Sequence, residues 1–543
     1  MSLILSLTVG LFVSMAMIPP LARVAPRLGL IDIPNGRKVH AHPIPRIGGI
    51  AIIAGLIIAC LFWVPVDGWV AGYLLGAVVI AIFGLWDDRA DLDYRLKFIG
   101  QFAAATIAVV IGGIQVTELP LIDAWVLPPV LAVPLTIVIL VAITNAINLT
   151  DGLDGLAGGT TLIAVGCVGL LAHLAGDRTV AIISVSLIGA LLGFLRYNSY
   201  PARVFLGDTG SQFLGFSACV LAIVLTQKSA TALSPALPLL LLGLPVLDTT
   251  MVMTQRIAEG HSPFKPDRNH IHHRLLALGL DHYEVVVVIY GVQSMLVMAA
   301  FLFRFESDGF LLLVYALFAC STACLLILAR YRGWKLKDGA GQHRPLARLV
   351  GWMRRNRTIY LVAVNIVGVA LPFVLLAGPL VATSVPYDFG FVAIICLVAL
   401  FAASRGVGGG MLDRLAIYVA AAIAIFFLNQ QLAASGISVD YLLVFCAAVA
   451  VAVGAVMRLG DTNAFAVSPL DFLVILLVLL VTYLASLAGS DPEIGRMATE
   501  MVILFYACEI LLLHTQRYWR LLRMSAAIAL VLYSVRSLLP LLS

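Results

Sequence analysis

The chain has 543 residues, of which 62% are hydrophobic and 12% charged, against about 25% charged residues in an ordinary soluble domain. That excludes a soluble globular protein, and a net charge of only +5 gives no reason to expect a nucleic acid partner. The apolar runs are continuous rather than alternating, which predicts an all-α polytopic integral membrane protein with roughly eighteen spans of about 20 residues, not a barrel.

Eleven spans are predicted over the first 330 residues, at approximately 3–22, 48–66, 69–86, 96–114, 128–144, 156–175, 179–195, 210–227, 235–255, 284–304 and 309–329. The first lacks a basic n-region and a small-residue cleavage site, so it reads as a retained span and not a signal peptide. Counted alternately, one set of loops holds Arg23, Arg27, Arg37, Lys38, Arg46, Arg89, Arg95, Lys97, Arg196, Arg203, Arg256, Lys265, Arg268, Arg274 and the basic run from Arg330 to Arg357. The other holds little beyond Arg178, Lys228 and Arg304. The positive-inside rule places the first set in the cytoplasm and the N-terminus outside, as in a multi-pass protein of the inner (plasma) membrane.

Residues 331–358 read as a basic cytoplasmic linker lying against an anionic leaflet. Residues 359–543 read as about seven further spans with no charged constellation; Asp440 and Asp471 mark helix starts, and Glu509 is an intramembrane ionisable residue. The eight cysteines lie in apolar runs without a Cys-x-x-Cys pair and read as packing residues with no disulfide framework.

Chemistry-bearing residues gather in five cytoplasmic loops. The first, from Asp32 to Gly49, contains Arg37, Lys38, His40, His42, Arg46 and a closing Gly-Gly. Guanidinium and ammonium groups match phosphate oxygens, although the same cations also serve as topology determinants. In the second loop, Asp87 and Asp88 end one span, and Lys97 and Gln101 share a face of the next. Adjacent carboxylates repel unless a divalent metal, Lys97 or a shared proton compensates them, which favours an active site over a solvated turn.

The third loop, Asn145 to Gly159, holds two Asn, two Asp and four Gly. Asn145 and Asn148 share a helical face, as do Asp151 and Asp154 if that turn is helical. Such hard oxygen donors suit Mg²⁺, which bridges to substrate phosphates. The fourth brings Asp208 between two glycines to the start of a span, an anion-binding helix N-terminus at which Asp208 would hold a bridging metal; a plain N-cap has the same pattern. The fifth offers Arg268, His270, His272, His273 and Arg274. Donors to a pyrophosphate are favoured there over zinc, since no fourth ligand is near, and over a surface patch.

Four motifs, in this order, resemble the polyprenyl-phosphate N-acetylhexosamine-1-phosphate transferases (glycosyltransferase family 4). They are Asp87-Asp88 with Lys97 and Gln101, Asn145-x-x-Asn-x-x-Asp-Gly-x-Asp-Gly-Leu-Ala-Gly-Gly159, Gly207-Asp-x-Gly-Ser211, and Asp267-Arg-x-His-Ile-His-His-Arg-Leu275. The resemblance covers residues 1 to about 330. The eleven spans, the fifth loop, and Arg37-Lys38 with Pro45-Arg46 look like the WecA and TagO branch, not the branch with a muramyl-pentapeptide donor.

The resemblance implies transfer of N-acetylhexosamine 1-phosphate, with N-acetylglucosamine favoured, from a UDP-N-acetylhexosamine to a polyprenyl phosphate such as undecaprenyl phosphate. UMP leaves, Mg²⁺ or Mn²⁺ is the cofactor, the active site faces the cytoplasm, and a lipid-linked cell-surface glycan is started. It further implies that Asp208 and Asn148 hold the metal, that Asp154 contacts the uracil, and that Asp151 and Asn145 line the nucleotide site. Lys97, Arg268, His270, His272 and His273 would clamp phosphate oxygens, Lys38 and Arg46 would join the nucleotide-sugar site, and Asp87 or Asp88 would orient or deprotonate the acceptor. A phosphate monoester, with a second pKa near 6, is already largely dianionic at neutral pH. Direct displacement is therefore expected over a covalent aspartyl-phosphate.

A transporter or flippase of lipid-linked sugar is the competing class. Its charges should gather near the midplane and its halves should repeat, whereas here the charges gather in loops and no repeat is visible. The spans of 359–543 lie outside the family pattern and leave open docking of a partner glycosyltransferase or flippase, binding of the lipid product, or a scaffold; for the protein as a whole a homodimer and downstream glycosyltransferases are the protein partners left open.

Overall fold

The structure is a computed structural model describing residues 2–34, 42–121, 126–229, 232–260, 262, 269–335, 357–405, 410–435, 440–459, parts of 470–484, 492–514 and 516–542. Lys38 and Arg268 lie outside the described residues, as does most of the basic linker. The chain divides into two compact units, Met1–Gly339 with Ser468–Leu484, and Ala340–Val467 with Ala485–Ser543. Among the described residues, twelve helices are long and apolar enough to cross a membrane, and two shorter apolar helices, Gly48–Trp63 and Tyr441–Val456, accompany them. The fold is all-α, apart from a two-residue antiparallel ladder that pairs β1 (Ile31–Asp32) with β2 (Ile44–Pro45).

Every span expected in the first 330 residues is helical. The helices of this stretch, in chain order, are α1 (Ser2–Leu28), α2 (Gly48–Trp63), α3 (Gly68–Ala90), α4 (Tyr94–Val110), α5 (Pro129–Thr150), α6 (Leu156–Leu174), α7 (Arg178–Asn198), α8 (Gly207–Ile223), α9 (Leu237–Leu241), α10 (Gly243–Ala258), α11 (Ile271–Ala277), α12 (His282–Leu302) and α13 (Asp308–Tyr331), of which the short α11 lies in the fifth loop and matches no expected span. The ninth span is broken into α9 and α10. Pro245 has no N–H to donate to the carbonyl of Leu241 and its ring crowds that carbonyl, so the backbone leaves helical geometry at Leu242.

The axle of this unit is α8, buried from Thr209 to Ile223 and packed by α2, α3, α5 and α6. Its small residues, among them Gly210, Ser211, Gly215, Ser217 and Ala218, permit the close backbone approach that drives helix association in lipid. A Cβ on Gly49 would lie 2.5 Å from Gly210 Cα, and one on Gly84 2.5 Å from Thr209 Cα, so α2 and α3 touch the first turn of α8 backbone to backbone. The first and fourth loops are also laced together: Phe205 N–H donates to Pro45 O at 2.8 Å, Gly48 N–H to Phe205 O at 3.0 Å, and Gly49 N–H to Leu206 O at 2.9 Å.

The second unit contains helices Arg357–Val381, Tyr387–Ser404, Gly410–Ala434, Asp440–Leu459, Pro492–His514 and Gln516–Leu542, packed around Val367, Leu371, Ala420, Leu511 and Tyr533. The expectation that it lacks charged constellations is corrected. Arg523 pairs with Asp413 at 3.2 Å, Arg414 with Glu509 at 3.3 Å, the Tyr418 hydroxyl donates to Glu509, and Asn429 donates to buried Glu500. Each of these groups sits on a different helix from its partner, so distance along the chain conceals the pairing.

Candidate active site

The last turn of α3 carries Asp87 and Asp88, and the helix stops three residues later because Asp91 turns left-handed (φ 50°) and returns its N–H to the Asp87 carbonyl. Both carboxylates are buried, but they have different partners. Asp87 accepts from Leu92 N–H at 2.9 Å and pairs with Lys97 Nζ at 2.7 Å. Asp88 accepts from Asp208 N–H at 2.8 Å, Thr209 N–H at 3.0 Å and Thr209 Oγ1 at 2.7 Å. It thus caps α8 from a neighbouring helix, where unpaired N–H groups and the positive end of the dipole favour an anion. Gly207 makes this possible: its φ is +74° and a Cβ there would lie 2.6 Å from Asp88 Oδ2. Lys97 and the α8 N-terminus are what relieve the repulsion between the adjacent carboxylates.

On the other side of that turn, Asn148 Nδ2 donates to Asp208 Oδ1 at 3.1 Å, Ser211 Oγ donates to Asn148 Oδ1 at 3.1 Å, and Lys97 Nζ stands 4.0 Å from Asp208 Oδ2. One turn deeper, Asn145 belongs to an amide ladder. Gln101 Nε2 donates to Asn145 Oδ1 at 3.3 Å and to Gln212 Oε1 at 3.1 Å, while Asn145 Nδ2 donates to the Val141 carbonyl at 2.9 Å. The shared helical face of the two asparagines is therefore present, with Asn148 at the site and Asn145 tying α4, α5 and α8 together beneath it.

These groups open into a cavity of about 760 Å³. Of the sequence-derived candidates, Arg46, Asp88, Asn148, Asp151, Asp154, Asp208 and His273 line it, whereas Asp87, Lys97, Asn145, His270 and His272 do not. Arg46 is ion-paired to Asp32 across the β1–β2 ladder. The turn from Asp151 to Gly155 is not helical, so Asp151 and Asp154 do not share a helix face. Asp151 reaches the cavity surface, yet the protein mass around it, followed by the charges of Asp208, Asp88 and Asp154, raises its pKa to about 8.

Asp154 is held firmly. Its N–H donates to His282 Nε2 at 3.0 Å, and its Oδ2 accepts from Ala202 N–H at 2.9 Å. Asn198 accepts from Gly155 N–H at 2.9 Å, and the Tyr200 ring stacks on His282 at 4.6 Å. Sequence reading had not singled out Asn198, Tyr200 or His282, which carry no local motif.

In the fifth loop His270 Nδ1 lies 2.9 Å from Asp248 Oδ2, and Ile271 N–H donates to Asp248 Oδ1 at 2.7 Å. Asp248 had also been missed, although an aspartate inside an apolar run is itself a signal. His272 is buried, and its Nε2 has no hydrogen-bond partner. Burial, with His273 second, lowers its pKa to about 4. The His273 ring, 4.2 Å from that of His272, is the member of the three that reaches the cavity.

Among the described residues, no group of three or more His, Cys, Asp or Glu is arranged to hold a metal. Mg²⁺ does not require one, since it keeps waters and uses one or two carboxylates together with substrate phosphates. The Asp208 carboxylate facing the Asn148 amide, with Ser211 adjoining and Asp151 on the same cavity wall, is a hard-oxygen set that fits such an ion.

An all-α membrane protein whose carboxylates, amides and cations converge from helix ends on one polar cavity is built as a membrane enzyme for anionic substrates. The model of glycosyl transferase family 4 matches residues 70–226, the stretch that supplies Asp87 through Asp208. The chain is 37% identical over 291 residues to the probable undecaprenyl-phosphate N-acetylglucosaminyl 1-phosphate transferase of Bacillus subtilis (strain 168), covering 53% of this chain and 81% of that protein. It is 37% identical over 303 residues to the decaprenyl-phosphate N-acetylglucosaminephosphotransferase of Mycobacterium tuberculosis (strain ATCC 25618 / H37Rv), covering 50% and 75%. Against the undecaprenyl-phosphate alpha-N-acetylglucosaminyl 1-phosphate transferase of Escherichia coli (strain K12) it is 31% identical over 349 residues, covering 62% and 91%. The chain belongs to this family, the polyprenyl-phosphate N-acetylhexosamine-1-phosphate transferases, and is a membrane phosphotransferase.

Proposed function

We propose that the protein transfers N-acetylglucosamine 1-phosphate from UDP-N-acetylglucosamine to undecaprenyl phosphate or a similar polyprenyl phosphate, releasing UMP and starting a lipid-linked cell-surface glycan. The carrying observation is the grip of Asp88 on the first turn of α8, which presents Asp208 to Asn148 and Lys97 at the cavity. The names of the three relatives support N-acetylglucosamine as the sugar. The one-sided distribution of basic loops supports a cytoplasmic active site. Residues 1–330 form the transferase in this reading, 331–358 the basic linker, and 359–543 a separate membrane region.

Asp208 and Asn148 would hold Mg²⁺, or Mn²⁺, which when bound neutralises charge on the donor pyrophosphate and on departing UMP. Lys97 stands beside Asp208, and Arg46 and His273 offer hydrogen-bond donors from the cavity wall; Lys38 and Arg268, outside the described residues, are assigned to phosphate by their sequence motifs alone. Asp154, fixed by Ala202 and His282, orients the nucleotide together with Asp151. Asp87 is engaged by Lys97 and Asp88 by α8, so both serve better as positioning groups than as bases. A dianionic acceptor phosphate attacks without needing one.

UMP release by the purified protein given polyprenyl phosphate, Mg²⁺ and UDP-N-acetylglucosamine tests this. Release that requires lipid and metal and is abolished in Asp208→Asn is expected. Absence of release with every UDP-N-acetylhexosamine, or release that persists without lipid, overturns the reading.

A further inference from the structure

The C-terminal unit encloses a polar contact that the transferase chemistry does not use. Asn429, near the end of helix Gly410–Ala434, donates Nδ2 to Glu500 Oε2 at 2.6 Å and to the Ile425 carbonyl of its own helix at 3.1 Å. Glu500, on helix Pro492–His514, is 0% exposed and Asn429 5%. The remaining oxygens of the pair, Glu500 Oε1 and Asn429 Oδ1, are buried without a hydrogen-bond partner. Turning the amide over does not help, because Oδ1 would then face the Ile425 carbonyl and the carboxylate together.

Both orphaned atoms are acceptors, and a buried acceptor without a donor is costly. What the pair lacks is a proton or a small cation between its two facing oxygens. We propose that Glu500 and Asn429 form a buried binding site for a single small cation, either a proton carried on Glu500 Oε1 and directed at Asn429 Oδ1, or an alkali-metal ion in its place. A proton completes a closed carboxylic acid–carboxamide pair, of which the Nδ2–H to Oε2 bond is the half already formed. Its binding makes one O–H bond and one hydrogen bond and breaks none.

The surroundings favour this over an ordinary ion pair. Arg496, on Glu500's own helix, is the charged neighbour, and Cys446 faces Glu500 from helix Asp440–Leu459. Helices Arg357–Val381 and Gln516–Leu542 also pack on Pro492–His514 and bring no titratable group that acts on Glu500 among the described residues. Loss of the cation leaves a buried carboxylate with one amide donor, from Asn429, and Arg496 as its charged neighbour. The packing of Gly410–Ala434 on Pro492–His514 then has to loosen, so occupancy of the site is coupled to the contact between these helices.

Infrared difference spectroscopy on the full chain in lipid nanodiscs tests the site by stepping pH at fixed salt, and by exchanging Na⁺ or K⁺ for choline at fixed pH. With a proton as occupant, a protonated-carboxyl band that shifts in D₂O is present, ignores alkali ions and disappears in Glu500→Gln. An alkali ion as occupant gives instead a carboxylate band that moves on exchange for choline, a movement lost in Glu500→Gln. Glutamine keeps the shape and can donate to Asn429 Oδ1, so this variant is expected to fold. Asn429→Leu provides a second reading by moving the carboxyl band to higher frequency without altering Glu500. If Glu500→Gln removes neither kind of band, Glu500 is permanently ionised and paired with Arg496, and the proposal is overturned.

Discussion

Replacing Asp88 with Asn separates action through α8 from direct contact with substrate. The carboxylate accepts three hydrogen bonds, one from the Asp208 N–H and two from Thr209. An asparagine oxygen can keep the first, but its NH₂ then meets both Thr209 donors, and the negative charge at the helix N-terminus is gone. Hydrogen bonds to a charged group contribute about 1.5–3 kcal/mol each, so losing two removes about 3–6 kcal/mol of support from the turn that carries Asp208. If half of that is expressed in the transition state, kcat falls roughly ten- to hundredfold at about 1.4 kcal/mol per decade. Because the loss runs through Asp208, the Mg²⁺ concentration for half-maximal UMP release should rise with it, and Asp88→Asn should add little on an Asp208→Asn background. An unchanged metal requirement, together with fully additive losses in the double variant, would refute positioning and return Asp88 to direct contact with the acceptor phosphate.

Other perturbations have equally definite outcomes. Lys97→Met strands buried Asp87; breaking a buried pair costs about 3–5 kcal/mol, reduced here to about 1–3 kcal/mol because Lys97 is 26% exposed. Thermal unfolding in nanodiscs should register the loss and Lys97→Arg should recover most of it; an unshifted midpoint argues against the pair. For His272, the folded pKa of about 4 lies below the unfolded value of 6.5, so the unfolded chain binds the extra proton and stability rises with pH. This contribution is complete above pH 6.5 and lost as the pH falls toward 4. Melting curves over that window should be steeper in pH for the wild type than for His272→Gln, and equal slopes would remove His272 as the cause. Asp248→Leu leaves His270 and the Ile271 N–H unsatisfied, loosening α11 beneath His273, and should raise the donor KM about tenfold with a smaller effect on kcat. An unaltered KM would mean that α11 is positioned elsewhere.

How much of this was legible beforehand divides along a physical line. Long apolar runs report helices directly, because hydrocarbon admits little else, and all eleven expected spans of the first unit are helical. Their ends were less visible. α5 continues to Thr150, beyond the expected 144, which is why Asn148 stands on a last helical turn and reaches Asp208. The loop motifs pointed to the residues that meet at the cavity, since charge and amide clusters at helix ends are local in sequence. Partners separated by many tens of residues were not legible. Asp88 and Thr209, Asp154 and His282, and Glu500 and Asn429 meet only through helix packing, and Asp248 sits alone in an apolar run with nothing nearby to announce a partner.

Spanning helices answer to bilayer thickness by tilting. Where neighbours meet through long side chains, rotamer changes absorb such a tilt, but Gly49 and Gly84 approach the α8 backbone at Gly210 and Thr209 with no side chain of their own to yield. α2 and α3 also present Leu61, Phe62, Val78 and Ile82 outward, so the lipid acts on the same two rods that seat the Asp208 turn. Acyl-chain length in the surrounding membrane is therefore expected to act on the Asp208 turn through these two helices, separately from the lipid that serves as acceptor.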